Sequence, residues 1–264
     1  MAGSDHAAAP GTSRRKGASP FLAVAALLLV VLFAGLGIWQ VFRLQWKLDL
    51  IARVDARVHA APVAPPGADR WVGFNTLDDE YRRVELHGTY LYDLTTPTQA
   101  LTEQGSGYWL LTPLCTTDGV IVIVNRGFIP AVLGARTRYT PQRAQGEPCA
   151  GAGAQAPARV VGLLRISEPH GSFARNNVPA ENRWYSRDVA AIAATRGLGT
   201  TAPYFIDAAA GQNPQDSPDR PSGGLTVISF PNSHLVYALT WYALALMVAS
   251  AWWYVARSRT ARDD

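Results

Sequence analysis

"PNSHLVYALTWYALALMVASAWWY", residues 231–254, sets a Pro-Asn-Ser-His quartet directly before a long apolar run. From Leu235 to Val255 no residue is charged, and a second uncharged run extends from Phe21 to Phe42. Each exceeds the ~20 residues needed to cross a hydrocarbon core of about 30 Å. Lipid offers no partner to backbone N–H and C=O groups, so each run crosses as a helix. The first run, 22 residues long, exceeds the apolar stretch of a signal peptide, and no small-x-small cleavage site stands behind it. Arg14-Arg15 lacks the residues that follow a twin-arginine signal. The run reads as an uncleaved anchor.

Orientation follows from the flanks. Arg14, Arg15 and Lys16 precede the first run, and Arg257, Arg259 and Arg262 follow the second. Positive charge beside a span stays cytoplasmic, and long translocated segments weigh little in the rule. The expected layout is a cytoplasmic tail over 1–20, a transmembrane helix over 21–42 and a periplasmic β-rich domain over 43–233. A second transmembrane helix over 234–255 and a cytoplasmic tail over 256–264 complete it. Of the net charge of +4, the tails supply +3 (six basic and three acidic residues), leaving +1 for the middle. That is no nucleic-acid footprint. Twenty-two arginines against two lysines, with abundant Ala, Gly and Pro, point to a GC-rich bacterial genome, and hence to the cell (inner) membrane with lipid around both spans.

Between the runs the hydrophobic period changes. Leu44, Leu48, Ile51 and Val58 carry helical spacing past the first run. "APVAPPG" (61–67) reads as an extended, Pro-rich linker. In "RVELHGTYLY" (83–92), Val84, Leu86, Tyr90 and Tyr92 share one face of a half-buried strand. "GYWLLTPLC" and "VIVIVNRGFIP" flank "TTDG" as a hairpin, and "RVVGLLRIS", "PYFID" and "LTVISF" read as further strands. A short helix fits "RDVAAIAATRG", with Asp188 as N-cap and Gly197 as its stop. Loops rich in Gly, Pro, Asp and Ser cover about 139–158 and 208–224. The expected fold is a membrane protein whose two transmembrane helices bracket a mainly β, barrel- or sandwich-like extracytoplasmic domain with one short helix. Within "VNRGFIP", Gly127 is expected to hold a backbone angle that a β-carbon resists. Arg126 either pairs inside the fold or faces the membrane and a partner.

Catalytic signatures are absent from the sequence: no G-x-S-x-G, H-E-x-x-H, Walker loop or G-x-G-x-x-G occurs. The chain is therefore read as no enzyme. Cys115 and Cys149 are free to bridge in an oxidising compartment, but Cys149 sits in the loop "GEPCAGAGAQAPA" and nothing forces the pairing. There is no C-x-x-C or C-x-x-C-H. The histidines are His6, His59, His87, His170 and His234, and no two stand at i, i+3 or i, i+4 as a helical metal pair would.

His234 differs from the other four. Asn232 or Ser233 caps the second span, and Pro231 bars its extension backwards, so His234 falls in the first turn. At about 100° per residue, His234, Tyr237, Ala238, Trp241, Ala245 and Trp252 lie within one stripe. Two readings fit. Two alanines between aromatics leave a flat slot for a planar macrocycle with an axial imidazole, or the stripe is an aromatic belt and a small-residue packing seam. The exit of the first span also carries two readings. Trp39, Phe42, Arg43, Trp46 and Lys47 form an interfacial anchor, or Arg43 or Lys47 meets an anionic group such as a haem propionate.

Three segments together, "GIWQVFRLQWKLDLI", "VNRGFIP" and "PNSHLVYALTW", resemble the Surfeit locus protein 1 family, assembly factors of haem-copper terminal oxidases. The resemblance covers residues about 20–255, with two departures: Phe128 stands where the family has Trp, and Ser233 where it has a second Asn. It implies a role in building cytochrome c oxidase and in inserting haem a into the catalytic subunit. His234 is then the expected axial ligand of the haem iron, with Trp241, Tyr237 and Arg43 around the cofactor. The haem-copper oxidase catalytic subunit is the implied partner, and the haem a synthesis enzyme a further one. A rival reading is a membrane-anchored interaction protein that stabilises an oxidase assembly intermediate without binding haem. A third is a membrane-tethered periplasmic enzyme.

Overall fold

The computed structural model of the protein describes residues 20–132, 138–139, 142–150, 152, 157–169, 175–215, 219–226 and 230–260. In chain order its principal elements are α1 (Pro20–His59), α2 (Thr76–Asp79), β1 (Arg83–Tyr90), β2 (Thr96–Thr102), β3 (Gly105–Thr116), β4 (Ile121–Pro130), β5 (Ala158–Ile166), α3 (Val189–Arg196), β6 (Thr201–Ala208) and α4 (His234–Thr260). Two compact units result, one of Met1–Ile51 with Phe230–Asp264, the other of Ala52–Ser229.

The first unit is built on two helices. Both carry apolar windows, with mean hydropathy 2.9 in α1 and 1.6 in α4, yet only 6% and 11% of those windows is buried. Neither is the core helix of a water-soluble fold. Leu27, Leu28, Val31, Leu239, Leu246 and Met247 all face outward, a surface suited to hydrocarbon. The helical spacing beyond Phe42 is borne out, since α1 continues to His59.

The second unit is a β-barrel. The sheet order is β1-β5-β6-β4-β3-β2, and a further β1–β3 pairing closes the first five strands on themselves. Pairings are antiparallel except β4–β6. Val84, Leu86, Tyr90, Leu114, Val122, Val124, Val160, Leu164, Tyr204 and Ile206 come from all five closing strands and fill the interior. The alternate residues Ile121, Ile123 and Phe205 point the other way, where α3 covers them with Val189 and Ile192. This is why "IVIV" is continuously apolar: both of its faces are buried. The α3 termini are as expected, with Asp188 accepting the Ala191 N–H and Gly197 in the left-handed region.

Several sequence expectations need amendment. "APVAPPG" is extended but not a free spacer. Val63 bridges β1, with its N–H to Arg83 O at 3.1 Å and its carbonyl accepting from Glu85 N at 2.9 Å. The Pro66 carbonyl accepts from Tyr204 Oη at 2.8 Å and Trp71 Nε1 at 3.1 Å, and burial pushes the Tyr204 phenol up to about 12. Strand β2 has no counterpart in the sequence reading. Pro97 weakens its signal, and among the described strands β2 pairs with β3 alone, where a sheet edge tolerates proline. Tyr92 lies in a 3-10 turn after β1 rather than in the strand. Of the strand expected over 225–230, residues 227–229 lie outside the described residues, and Leu225, Thr226 and Phe230 join no strand. Cys115 and Cys149 form a disulfide with Cα atoms 5.8 Å apart, pinning the Gly-rich loop to the outer side of β3.

Candidate functional site: the His234 helix terminus

Pro231 and Ser233 set the start of α4. The Asn232 Oδ1 accepts the His234 N–H at 3.3 Å, and the Ser233 carbonyl accepts the Tyr237 N–H at 3.2 Å as the first helical bond. His234 thus occupies the first turn, half-buried. Its Nδ1 lies 2.7 Å from Oε1 of Gln40, a residue of α1 that is 8% exposed. A carboxamide oxygen only accepts, so in the tautomer that makes this bond Nδ1 is the donor and Nε2 keeps the free electron pair. That is the form of imidazole a metal binds, with its second nitrogen oriented by a hydrogen bond.

The stripe expected on α4 is present in part. Ala238 and Ala245 are buried against α1, and Trp241 stacks on Phe33 with ring centroids 5.7 Å apart. A β-carbon placed on Gly37 falls 2.6 Å from the Tyr242 ring, so the helices meet where side chains are smallest. Trp241, which stands between the two alanines on the stripe, is thus packed on α1 through Phe33. Tyr237 sits at the edge of the stripe and is 54% exposed. Arg43 is exposed as well, its guanidinium 4.5 Å above the ring of Trp46, while the Lys47 ammonium lies 5.2 Å from the Phe230 ring. So His234 and Trp241 face α1, and Tyr237 and Arg43 do not join them there. Among the described residues of this unit His234 is the only histidine, and there is no cysteine.

Gln40 escaped the sequence reading. Its signal was available, as the one carboxamide between Phe21 and Phe42. A polar group within an apolar span seeks a partner, because lipid gives it none.

Elsewhere, His87 is on the solvated face of β1 with Nε2 3.6 Å from Glu85, and His170 lies outside the described residues. Arg126 belongs to the fold. It is fully buried, its guanidinium 4.7 Å from the Tyr92 ring and 5.7 Å from the Tyr90 ring, with Nε donating to Asn213 Oδ1 at 3.3 Å. Burial holds its pKa below the usual arginine value. Two adjoining clefts of about 470 and 720 Å³ share Leu101, Trp109 and Arg187. Two of their arginines, Arg165 and Arg187, are held by carboxylates. Asp207 accepts from Asn125 at 2.7 Å, Arg165 at 3.0 Å, Arg187 at 3.3 Å and Thr226 at 3.0 Å, and Glu168 takes up further N–H groups of both arginines.

Fold and site together define a membrane protein with two apolar helices bracketing a β-barrel, its most distinctive polar feature being a histidine–carboxamide pair between those helices. The SURF1 family model matches residues 27–246. The chain belongs to the SURF1 family, a family of cytochrome c oxidase assembly factors and not an enzyme class. It is 36% identical over 250 residues to Surfeit locus protein 1 of Homo sapiens, covering 88% of this chain and 76% of that protein. It is 34% identical to Surfeit locus protein 1 of Mus musculus, covering 86% and 72%. It is 30% identical to a SURF1-like protein of Drosophila melanogaster, covering 86% and 75%.

Proposed function

We propose that the protein binds haem a through His234 and assists its insertion into the catalytic subunit of a haem-copper oxidase. The observation that carries this reading is the His234 imidazole in the first turn of α4, with Nδ1 engaged by Gln40 and Nε2 left to coordinate. Haem a is cargo in this reading, and a single protein ligand suits cargo that must leave. Trp241 supports the α4 face behind the ligand, and Tyr237 and Arg43 supply exposed aromatic and cationic groups on the two helices. The partners are the oxidase catalytic subunit and the haem a synthesis enzyme. The chain sits in the inner membrane of a bacterium, with both termini cytoplasmic and the barrel periplasmic. Basic flanks support that orientation, and so does the Cys115–Cys149 disulfide, which belongs to an oxidising compartment.

The test is the optical spectrum of the protein purified from cells that make haem a. Wild type is expected to carry haem; His234→Ala is expected to lose it or change its spectrum while remaining inserted, and His87→Ala to match wild type. Equal stoichiometry and identical spectra for His234→Ala would remove His234 as ligand. The burial of Ala238 and Ala245 under α1 favours a second reading, in which the pair is an interhelical clamp and the protein stabilises an assembly intermediate without haem. That outcome selects it.

A further inference from the structure

We infer that Gln40 is a positioning residue that sets the tautomer of His234, keeping the proton on Nδ1 and leaving Nε2 as the donor. The consequence for haem rests on the function proposed above; the tautomer itself belongs to the haem-free chain. The two residues are 194 positions apart and come from different helices, so this is a tertiary contact rather than a local turn. At 2.7 Å the bond is at the short end for N–H···O. Each partner has reason to keep it. Gln40 is buried in an apolar span, where an unmet carboxamide is costly. A neutral histidine side chain in water favours the opposite tautomer, with the proton on Nε2, which would block coordination at that nitrogen. An acceptor facing Nδ1 reverses the preference, as the outer hydrogen bond does for metal-bound histidines generally.

The packing around the pair holds it in place. The close approach at Gly37 lies one turn before Gln40, and Ala238 lies one turn after His234. Both helices are therefore drawn together at the level of the hydrogen bond. Asn232 occupies the His234 backbone N–H, so that group does not compete for Gln40.

The experiment uses the full chain in lipid nanodiscs, labelled with 15N-histidine and free of haem. Two-bond 1H–15N correlations report which ring nitrogen of His234 carries the proton. Wild type is expected to show Nδ1–H, Gln40→Leu to shift toward Nε2–H, and Gln40→Glu to keep Nδ1–H, since a carboxyl group retains an acceptor oxygen whether ionised or not. Titration with haem a follows. Gln40→Leu is expected to bind about 10- to 100-fold more weakly with altered axial-imidazole bands, the loss typical of an outer hydrogen-bond partner. Gln40→Glu is expected to bind like wild type, which controls for damage to helix packing. Nε2–H in wild type, or an unchanged tautomer in Gln40→Leu, overturns the inference. A changed tautomer with unchanged affinity and spectrum overturns its bearing on the ligand. If wild-type chain binds no haem a, or His234→Ala binds it equally, the function proposed above fails instead, and the tautomer result stands on its own.

Discussion

Replacing Gly127 with alanine tests the centre of the barrel. Gly127 lies in β4 with φ +130°, a conformation that residues with a β-carbon rarely adopt. An added β-carbon would also fall 2.3 Å from the Ser222 carbonyl oxygen and 2.6 Å from the Gly223 nitrogen. These are backbone atoms and no rotamer moves them. Segment 222–224 must shift, and the paired hydrogen bonds between Phe128 and Ser222, 3.0 and 2.9 Å, go with it. Backbone strain of about 1–3 kcal/mol and two hydrogen bonds worth about 0.5–1.5 kcal/mol each give a destabilisation of roughly 2–6 kcal/mol. For a unit of this size that lowers the Tm by roughly 10 °C. The assay is thermal unfolding of the full chain in detergent, followed by tryptophan fluorescence. Gly105→Ala separates the two contributions. Gly105 has φ +99° with nothing within 4 Å of an added β-carbon, so it reports strain without collision, and its shift is expected to be the smaller. An unchanged Tm for Gly127→Ala, or an equal shift for both variants, would refute the reasoning.

Three further outcomes are expected. Replacing both Cys115 and Cys149 with serine opens a loop of 34 residues and costs about 3–4 kcal/mol by loop entropy; an unchanged urea midpoint for that variant would contradict the disulfide's role. Asp207→Ala takes from Arg165 and Arg187 one of the two carboxylates they share, leaving Glu168, and costs about 1.5–3 kcal/mol, read by the same unfolding assay, whereas a neutral result would mean that Glu168 and water compensate for the lost carboxylate. Reporter fusions at the N-terminus and after Asp264 are expected to read cytoplasmic and one at Gly211 periplasmic; a cytoplasmic signal at Gly211 reverses the orientation.

Much of the fold was legible because its signals are local. The spans at 21–42 and 235–255 follow from uncharged length, the Ile121–Pro130 strand from its apolar run, and α3 from Asp188 and Gly197 at its ends. Strand β2 was hidden because its proline argues against a strand unless the edge position is known. The candidate site was half legible. Pro231 through His234 placed an imidazole at a helix start, but its hydrogen-bond partner Gln40 sits on the other helix, where no local pattern points to the pairing.

By itself the sequence determined where helices begin, where strands alternate and which histidine stands apart, since capping, periodicity and apolar length act within a few residues. Only the tertiary structure decided what joins distant positions. It closed the barrel through β1 and β3, paired Cys115 with Cys149, and buried Arg126 against Tyr90 and Tyr92. It also set Gln40 against His234 across 194 residues. No spacing encodes such contacts, because they arise when whole elements pack and each polar group left without water takes the partner the fold brings to it.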